Sequence, residues 1–254
     1  MTSPKTMRFR TGRTVEGSWR DVATLPCVGC PAKSFNVCGP LDYERQKELF
    51  EIGKAQTWAR RQQLFRSGDP IGSIFKITSG IVAVSKILPD GRRQILDFFL
   101  PGDLCGFLET DRDYEFDGEA ITDATTCSFD RERFMSFANR HPDVAEALHV
   151  AVADRLKRAV LHMAVLGQLT STERVATFLC SLTVACGPRD IATNPLVLPM
   201  NRTDIADYLG LRLETVSRAF SRLRQRRFIE IDNDEFVVIN RAALVEMSNS
   251  PYVN

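Results

Sequence analysis

The 254-residue sequence contains no apolar run approaching the roughly 18 residues that a membrane-spanning helix needs. Its first twenty residues hold Lys5, Arg8, Arg10, Arg13 and Arg20 but no apolar core, so no secretory signal is read and a cytoplasmic location is expected. Excess charge of one sign is also missing. A formal net charge of +1 excludes a protein that holds nucleic acid by its overall charge, so a basic surface must come from local segregation. Histidine is scarce: His141, His149 and His162 are the only three, and all are expected on one long helix. An enzyme of the cupin type, which needs imidazole ligands inside a β-barrel, is thereby excluded, and no other catalytic constellation is present. With 44% hydrophobic and 26% charged residues, the composition fits neither a disordered nor a collagen-like chain, and the length suffices for two domains.

Cysteine, by contrast, is plentiful. In a reducing compartment seven thiols point to metal binding or redox sensing rather than disulfides. Three of them, Cys27, Cys30 and Cys38, fall within twelve residues, and Gly29 and Pro31 favour a loop that folds back on itself. Spacing alone leaves several readings open: a chance cluster, a zinc knuckle short of one ligand, an iron-sulfur site, or thiols that switch without metal.

Periodicity divides the rest of the chain. Residues 1–20 read as a polar leader and 21–140 as the cysteine loop with a sensor domain. Asp42 to Ile52 suggests a short helix with an acidic start. From Gln63 to about Phe134 the apolar period is two, with turn signals at Ser67-Gly68-Asp69-Pro70, Thr78-Ser79-Gly80, Pro89-Asp90-Gly91 and Pro101-Gly102-Asp103. Strands are clearest at residues 74–77, 81–85, 94–99 and 124–129, which predicts an antiparallel β-roll or sandwich. At His141-Pro142-Asp143 the period becomes helical, with proline and an acid suited to a helix start. Val144, Leu148, Val152, Leu156, Val160 and Met163 form one stripe, and Ala145, Ala151, Ala159, Val165 and Leu166 widen it. Two burial surfaces are therefore expected for residues 141–168: the roll and a second copy of the chain, giving a homodimer. A boundary near Gly167 to Ser171 opens a third region, 169–254, beginning with a helix that Cys186-Gly187-Pro188 ends. Residues 187–199 read as a connection.

Asn201 to Leu223 has helix-turn-helix spacing. Ile205, Ala206 and Leu209 face inward on a first helix, Gly210 permits the sharp turn, and Leu213, Val216, Phe220 and Leu223 mark the inner face of a second. Glu214, Ser217, Arg218, Ser221 and Arg222 then point outward. Arg218 can pair with guanine, Glu214 can accept from a cytosine amino group, and Ser217 can reach a base edge, which makes double-stranded DNA the expected partner. Thr215, Ser221, Arg222 and Arg224 are assigned to the DNA backbone, with Arg226 and Arg227 behind them. Residues 201–229 hold seven arginines against three acids, the local segregation that the net charge concealed. Glu230, Asp232, Asp234 and Glu235 surround an expected hairpin that completes a winged module.

This order of parts, an α+β architecture of β-roll, long dimerisation helix and winged helix-turn-helix, resembles the catabolite-activator (CRP/FNR) superfamily of bacterial transcription regulators over roughly residues 40–247. Within it, Cys27-x-x-Cys30 with Cys38 and a later cysteine is similar to the FNR branch. That resemblance implies an oxygen-labile [4Fe-4S] cluster on four cysteines and RNA polymerase as a partner. The Glu214-Thr215-Val216-Ser217-Arg218 run is similar to the branch's E-x-x-S-R signature, which implies a two-fold symmetric site with TTGAT-type halves. The seven-residue gap from Cys30 to Cys38 is longer than in the enteric prototype but similar to rhizobial members. Family position favours Cys127 as the fourth ligand, with Cys105 in reserve; Cys180 and Cys186 are expected in the core. Arg212 stands where the branch has a Ser or Thr helix cap. Cyclic-nucleotide sensors of the superfamily carry a Gly-Glu-Leu segment and an Arg-Ser pair, where this sequence reads Gly106-Phe107-Leu108 and Gly118-Glu119. No cyclic nucleotide is therefore expected, and Asp111, Asp113, Glu115, Asp117 and Glu119 would repel its phosphate.

Overall fold

A computed structural model describes residues 26–106, 112–189, 196–232 and 236–248. The expected leader, the segment Phe107 to Asp111, and Asp234 and Glu235 lie outside the described residues.

After a 3-10 turn at Pro26–Gly29 and another at Asn36–Cys38, helix α1 covers Tyr43–Glu51, its first turn closed by the Asp42 side chain accepting from the Arg45 amide. Eight strands follow: β1 (Gly53–Trp58), β2 (Gln63–Phe65), β3 (Ser73–Ser79), β4 (Val82–Ile87), β5 (Arg93–Phe99), β6 (Leu104–Cys105), β7 (Asp117–Ala120) and β8 (Ala124–Asp130). They form two four-stranded antiparallel sheets, ordered β1-β8-β3-β6 and β2-β7-β4-β5. The four clearest expected strands are β3, β4, β5 and β8. Strand β1 gave no sequence signal because it reads Gly-Lys-Ala-Gln-Thr-Trp and is largely solvent-facing. Inside the roll Phe65, Phe75 and Tyr114 stack, with Phe65 and Tyr114 ring centres 4.4 Å apart.

Helix α2 (Arg131–Arg140), capped by Asp130 and unforeseen in the sequence, buries Phe134 and Phe137. His141 separates it from α3 (Pro142–Gln168), so this histidine precedes the long helix rather than lying on it. The expected single stripe of α3 is split in the structure. Val144 is fully buried and joins the core shared with Val37 and Leu104, whereas Leu156, Val160 and Met163 are 63%, 48% and 63% exposed. The roll-facing side continues instead through Ala151 to Arg155, a buried arginine over the Phe99 ring that pairs with Asp97 and Asp103. Periodicity could not show this, because it counted only apolar positions.

Helix α4 (Ser171–Cys186) starts at Thr170, whose amide donates to Glu173 Oε2 at 2.7 Å. Strand β9 (Leu196–Val197), helices α5 (Arg202–Leu209) and α6 (Leu213–Gln225), strands β10 (Ile229–Asp232) and β11 (Phe236–Ile239), and helix α7 (Arg241–Ser248) complete the chain. The expected hairpin is β10-β11, and β9 adds a third strand from within the supposed connection. Helix α7, packed on α4, was not foreseen. One core joins Ile81, Ile95 and Phe98 of the roll to Phe178, Leu209 and Phe220, so the roll and the C-terminal helices pack directly on each other.

Candidate metal centre and nucleic-acid interface

The cysteine loop is held on the roll by contacts of its middle residues. Asn36 takes a left-handed backbone angle (φ 50°), tolerable for asparagine, and its side-chain amide donates to the Gly102 carbonyl. Gly102 has φ 97°, and a Cβ there would stand 2.6 Å from Cβ of Phe35, so glycine is required both for the turn and for the loop's close approach. Val37 is fully buried, and the Asn36–Cys38 turn packs directly on α3.

Seated in this way, the loop brings Cys27, Cys30 and Cys38 to one cavity whose opposite wall is Cys127 on β8. Cys105 is buried elsewhere, inside the roll with Phe75 and Tyr114, and Cys180 and Cys186 are buried in the C-terminal core. The seven cysteines are all free thiols. Burial, and then the neighbouring thiols, push Cys27 up to about 11; burial, and then the same neighbours, push Cys127 up to about 12. Thiols raised in this way are protonated at neutral pH, the reverse of the depressed values that make a cysteine reactive by itself. They become thiolates when a metal displaces their protons. Among the described residues no three His, Cys, Asp or Glu side chains converge closely enough to hold one ion. The four sulfurs border a cavity instead of meeting at a point, an arrangement that fits a polynuclear iron-sulfur group, whose thiolates bind separate iron corners. An all-thiol donor set also suits iron-sulfur chemistry.

The sequence did not flag Lys76. Its side chain is 1% exposed, it lies opposite Cys127 in the β3-β8 ladder, and its Nζ donates to the Phe35 carbonyl at 2.7 Å. A lysine inside the run Ile74-Phe75-Lys76-Ile77 was the available signal.

In the C-terminal part of the chain, α5 opens with Asn201 accepting from the Asp204 amide, and Gly210 (φ 61°) makes the turn into α6. Val216, Ala219, Phe220 and Leu223 are buried, but Leu213, expected on this inner face, is 43% exposed because it is the first residue of the helix. Arg212 gives α6 no side-chain cap. Glu214, Ser217, Arg218, Ser221, Arg222 and Arg224 are exposed, and Thr215 is half-buried, in contact with Arg218. The acids of this region are redistributed. Asp204 is fully buried and receives Arg61 at 2.8 Å and Arg93 at 2.6 Å, while Asp207 receives Arg93 at 2.8 Å. Burial opposes ionisation of Asp204, but hydrogen bonds from Arg61 and Arg93 outweigh it and hold the carboxyl below its ordinary value. With two acids engaged by the roll, Glu214 alone shares the outer surface of α5 and α6 with Arg212, Arg218, Arg222 and Arg224.

A nucleotide-type β-roll carrying a winged helix-turn-helix with a basic outer helix defines a DNA-binding transcription regulator. Residues 55–141 match the cyclic nucleotide-binding domain, and residues 173–247 match the Crp-like helix-turn-helix domain. The chain is 34% identical to the nitrogen fixation regulation protein FixK of Bradyrhizobium diazoefficiens, over 81% of this chain and 86% of that one. It is 33% identical to the transcriptional activatory protein AadR of Rhodopseudomonas palustris, over 85% and 93%. The solved structure of FixK2 from Bradyrhizobium japonicum superposes with a TM-score of 0.70 at 34% identity, covering 77% of this chain and 97% of that one. The chain belongs to the CRP/FNR family of transcription regulators.

Proposed function

We propose that the protein binds a [4Fe-4S] cluster through Cys27, Cys30, Cys38 and Cys127 when oxygen is scarce, and in that state binds a palindrome of TTGAT-type half-sites as a homodimer. The observation that carries this reading is one cavity that all four thiols border, three of them on a loop seated against α3 and the fourth on β8. Held by these four thiolates, a cluster would supply iron that dioxygen can oxidise, and its loss would leave the loop untied from the roll. The coupling then runs through the chain's own residues. Cys38 ends the turn that packs on α3, and Val37 of that turn shares its core with Val144. Ligation by both Cys38 and Cys127 would steady this core beneath α3, whose other face presents Leu156, Val160 and Met163 for a second copy. Dimerisation sets two α6 helices about one DNA turn apart, roughly 34 Å between half-site centres. Glu214, Ser217 and Arg218 read bases, and Thr215, Ser221, Arg222 and Arg224 hold phosphates. The dimer on promoter DNA meets RNA polymerase, in keeping with relatives named as transcriptional activators.

Cyclic nucleotide has no part in this reading. Gly118, in the segment that lacks the Arg-Ser pair of nucleotide-binding relatives, packs so closely that a Cβ would lie 2.4 Å from the Phe65 ring. The aromatic stack fills that part of the roll.

Anaerobic purification with iron and sulfide analysis tests the cluster. Equal amounts of iron and acid-labile sulfide, lost in air together with specific DNA binding, are expected. Colourless protein with stoichiometric zinc would refute it.

A further inference from the structure

Among the described residues that border the cysteine cavity, Lys76 is the one buried cation. The residue is 1% exposed, and its Nζ hydrogen bond goes to a neutral acceptor, the Phe35 carbonyl. No described carboxylate forms an ion pair with it, although Arg155 and Arg189 nearby share Asp103. Removing an ammonium group from water without an anionic partner costs several kcal/mol, so such a group persists where an anion compensates it in the working state. The geometry identifies that anion. Lys76 stands directly across the ladder from Cys127, a position that brings Cβ atoms to about 5 Å, and it borders the same cavity as all four thiols. Lys33 and Lys54 also border the cavity but are exposed, where water screens them. Its carbonyl partner belongs to the loop between Cys30 and Cys38, so the one side chain touches both the site and the strap that closes over it.

We infer that Lys76 is the built-in counter-charge of the metal centre, offsetting the negative charge of four thiolates on an iron-sulfur core and setting how readily that core gives up an electron. This inference rests on the cluster reading above. A positive charge beside the site favours the more reduced state, so it raises the one-electron reduction potential and slows oxidation by dioxygen. Lys76 thus tunes the oxygen level at which the loop is released.

The test compares wild-type protein with Lys76→Gln, which keeps a donor for Phe35 but no charge, Lys76→Met, which has neither, and Lys76→Arg, which keeps the charge. Each protein is purified anaerobically; iron and sulfide are counted, the potential is titrated, and thermal unfolding of the metal-free chains is followed by circular dichroism. The expected result is a lower potential and a several-fold shorter lifetime in air for both neutral variants. Lys76→Arg should lie near wild type, and the metal-free Met variant should melt no lower than wild type, since its buried charge is gone. A neutral variant that folds when metal-free but fails to retain iron supports the same role. Wild-type potential and air lifetime in both neutral variants would overturn the inference while leaving the cluster reading intact. Wild-type protein without iron and sulfide would overturn both, and the analysis of that one sample tells the two failures apart.

Discussion

At the scale of single residues, two cysteines that sequence ranked as first choice and reserve occupy different environments. Cys127 faces the cavity with the three loop thiols, whereas Cys105 is packed among roll aromatics. Cys127→Ser is expected to remove most bound iron while the roll remains folded, and Cys105→Ser to retain it; iron analysis with circular dichroism checks the pair. Arg218 is exposed on the outer face of α6. Loss of a paired contact to a base costs roughly 1–3 kcal/mol, so Arg218→Ala should weaken specific binding by about ten- to a hundred-fold with the dimer unchanged, read by footprinting and sedimentation.

At the scale of elements, the long helix α3 and the cysteine loop are packed on each other through the Asn36–Cys38 turn. Leu156, Val160 and Met163 form an apolar row along α3 that its own chain leaves exposed. Placing a carboxylate on that row sets like charges face to face in a two-fold dimer, so Leu156→Glu is expected to yield monomer in sedimentation while cluster content is retained. The seat of the loop depends on Gly102. Alanine there meets a positive φ and the Phe35 side chain at once, so Gly102→Ala should unseat the loop, lower iron retention and expose Cys38 to alkylation. Helix α2 and strand β1 show why some elements were illegible. Strand β1 alternates only weakly, because its outer face is solvated, and α2 is a ten-residue helix whose Phe134 and Phe137 read equally well as the end of a strand region.

At the scale of the whole molecule, the roll and the helix-turn-helix are joined by an apolar core and an ionic clasp of Arg61 and Arg93 on Asp204 and Asp207. Asp204 is held below its ordinary value of 3.8, so it stabilises the folded state fully above that pH. That contribution is lost as pH falls below 3.8 and through the depressed folded value. Acid unfolding followed by circular dichroism should therefore begin at higher pH in Asp204→Asn than in wild type. At neutral pH the variant, whose Arg61 keeps Glu119 and whose Arg93 keeps Glu119 and Asp207, should lose about 1–3 kcal/mol of stability in urea.

The sequence by itself determined the local order of the chain: a two-residue period for the roll, a helical period from Pro142, Gly210 at the turn, and the outward row of Glu214, Ser217 and Arg218. These follow from propensity and periodicity, which act over a few residues and so are written locally. It also marked Cys27, Cys30 and Cys38, because their spacing is a property of one loop. Only the tertiary structure decided which distant groups meet. It set Cys127 and Lys76 side by side across a ladder, buried Arg155 where an apolar stripe was expected, and turned Asp204 from a helix acid into a clasp on the roll. Such contacts depend on strand register and on the packing of elements far apart in sequence, and a single chain of letters carries no local trace of either. The cysteine cavity divides along the same line: its loop is legible as spacing, whereas its fourth wall and its buried lysine exist only once the roll has closed.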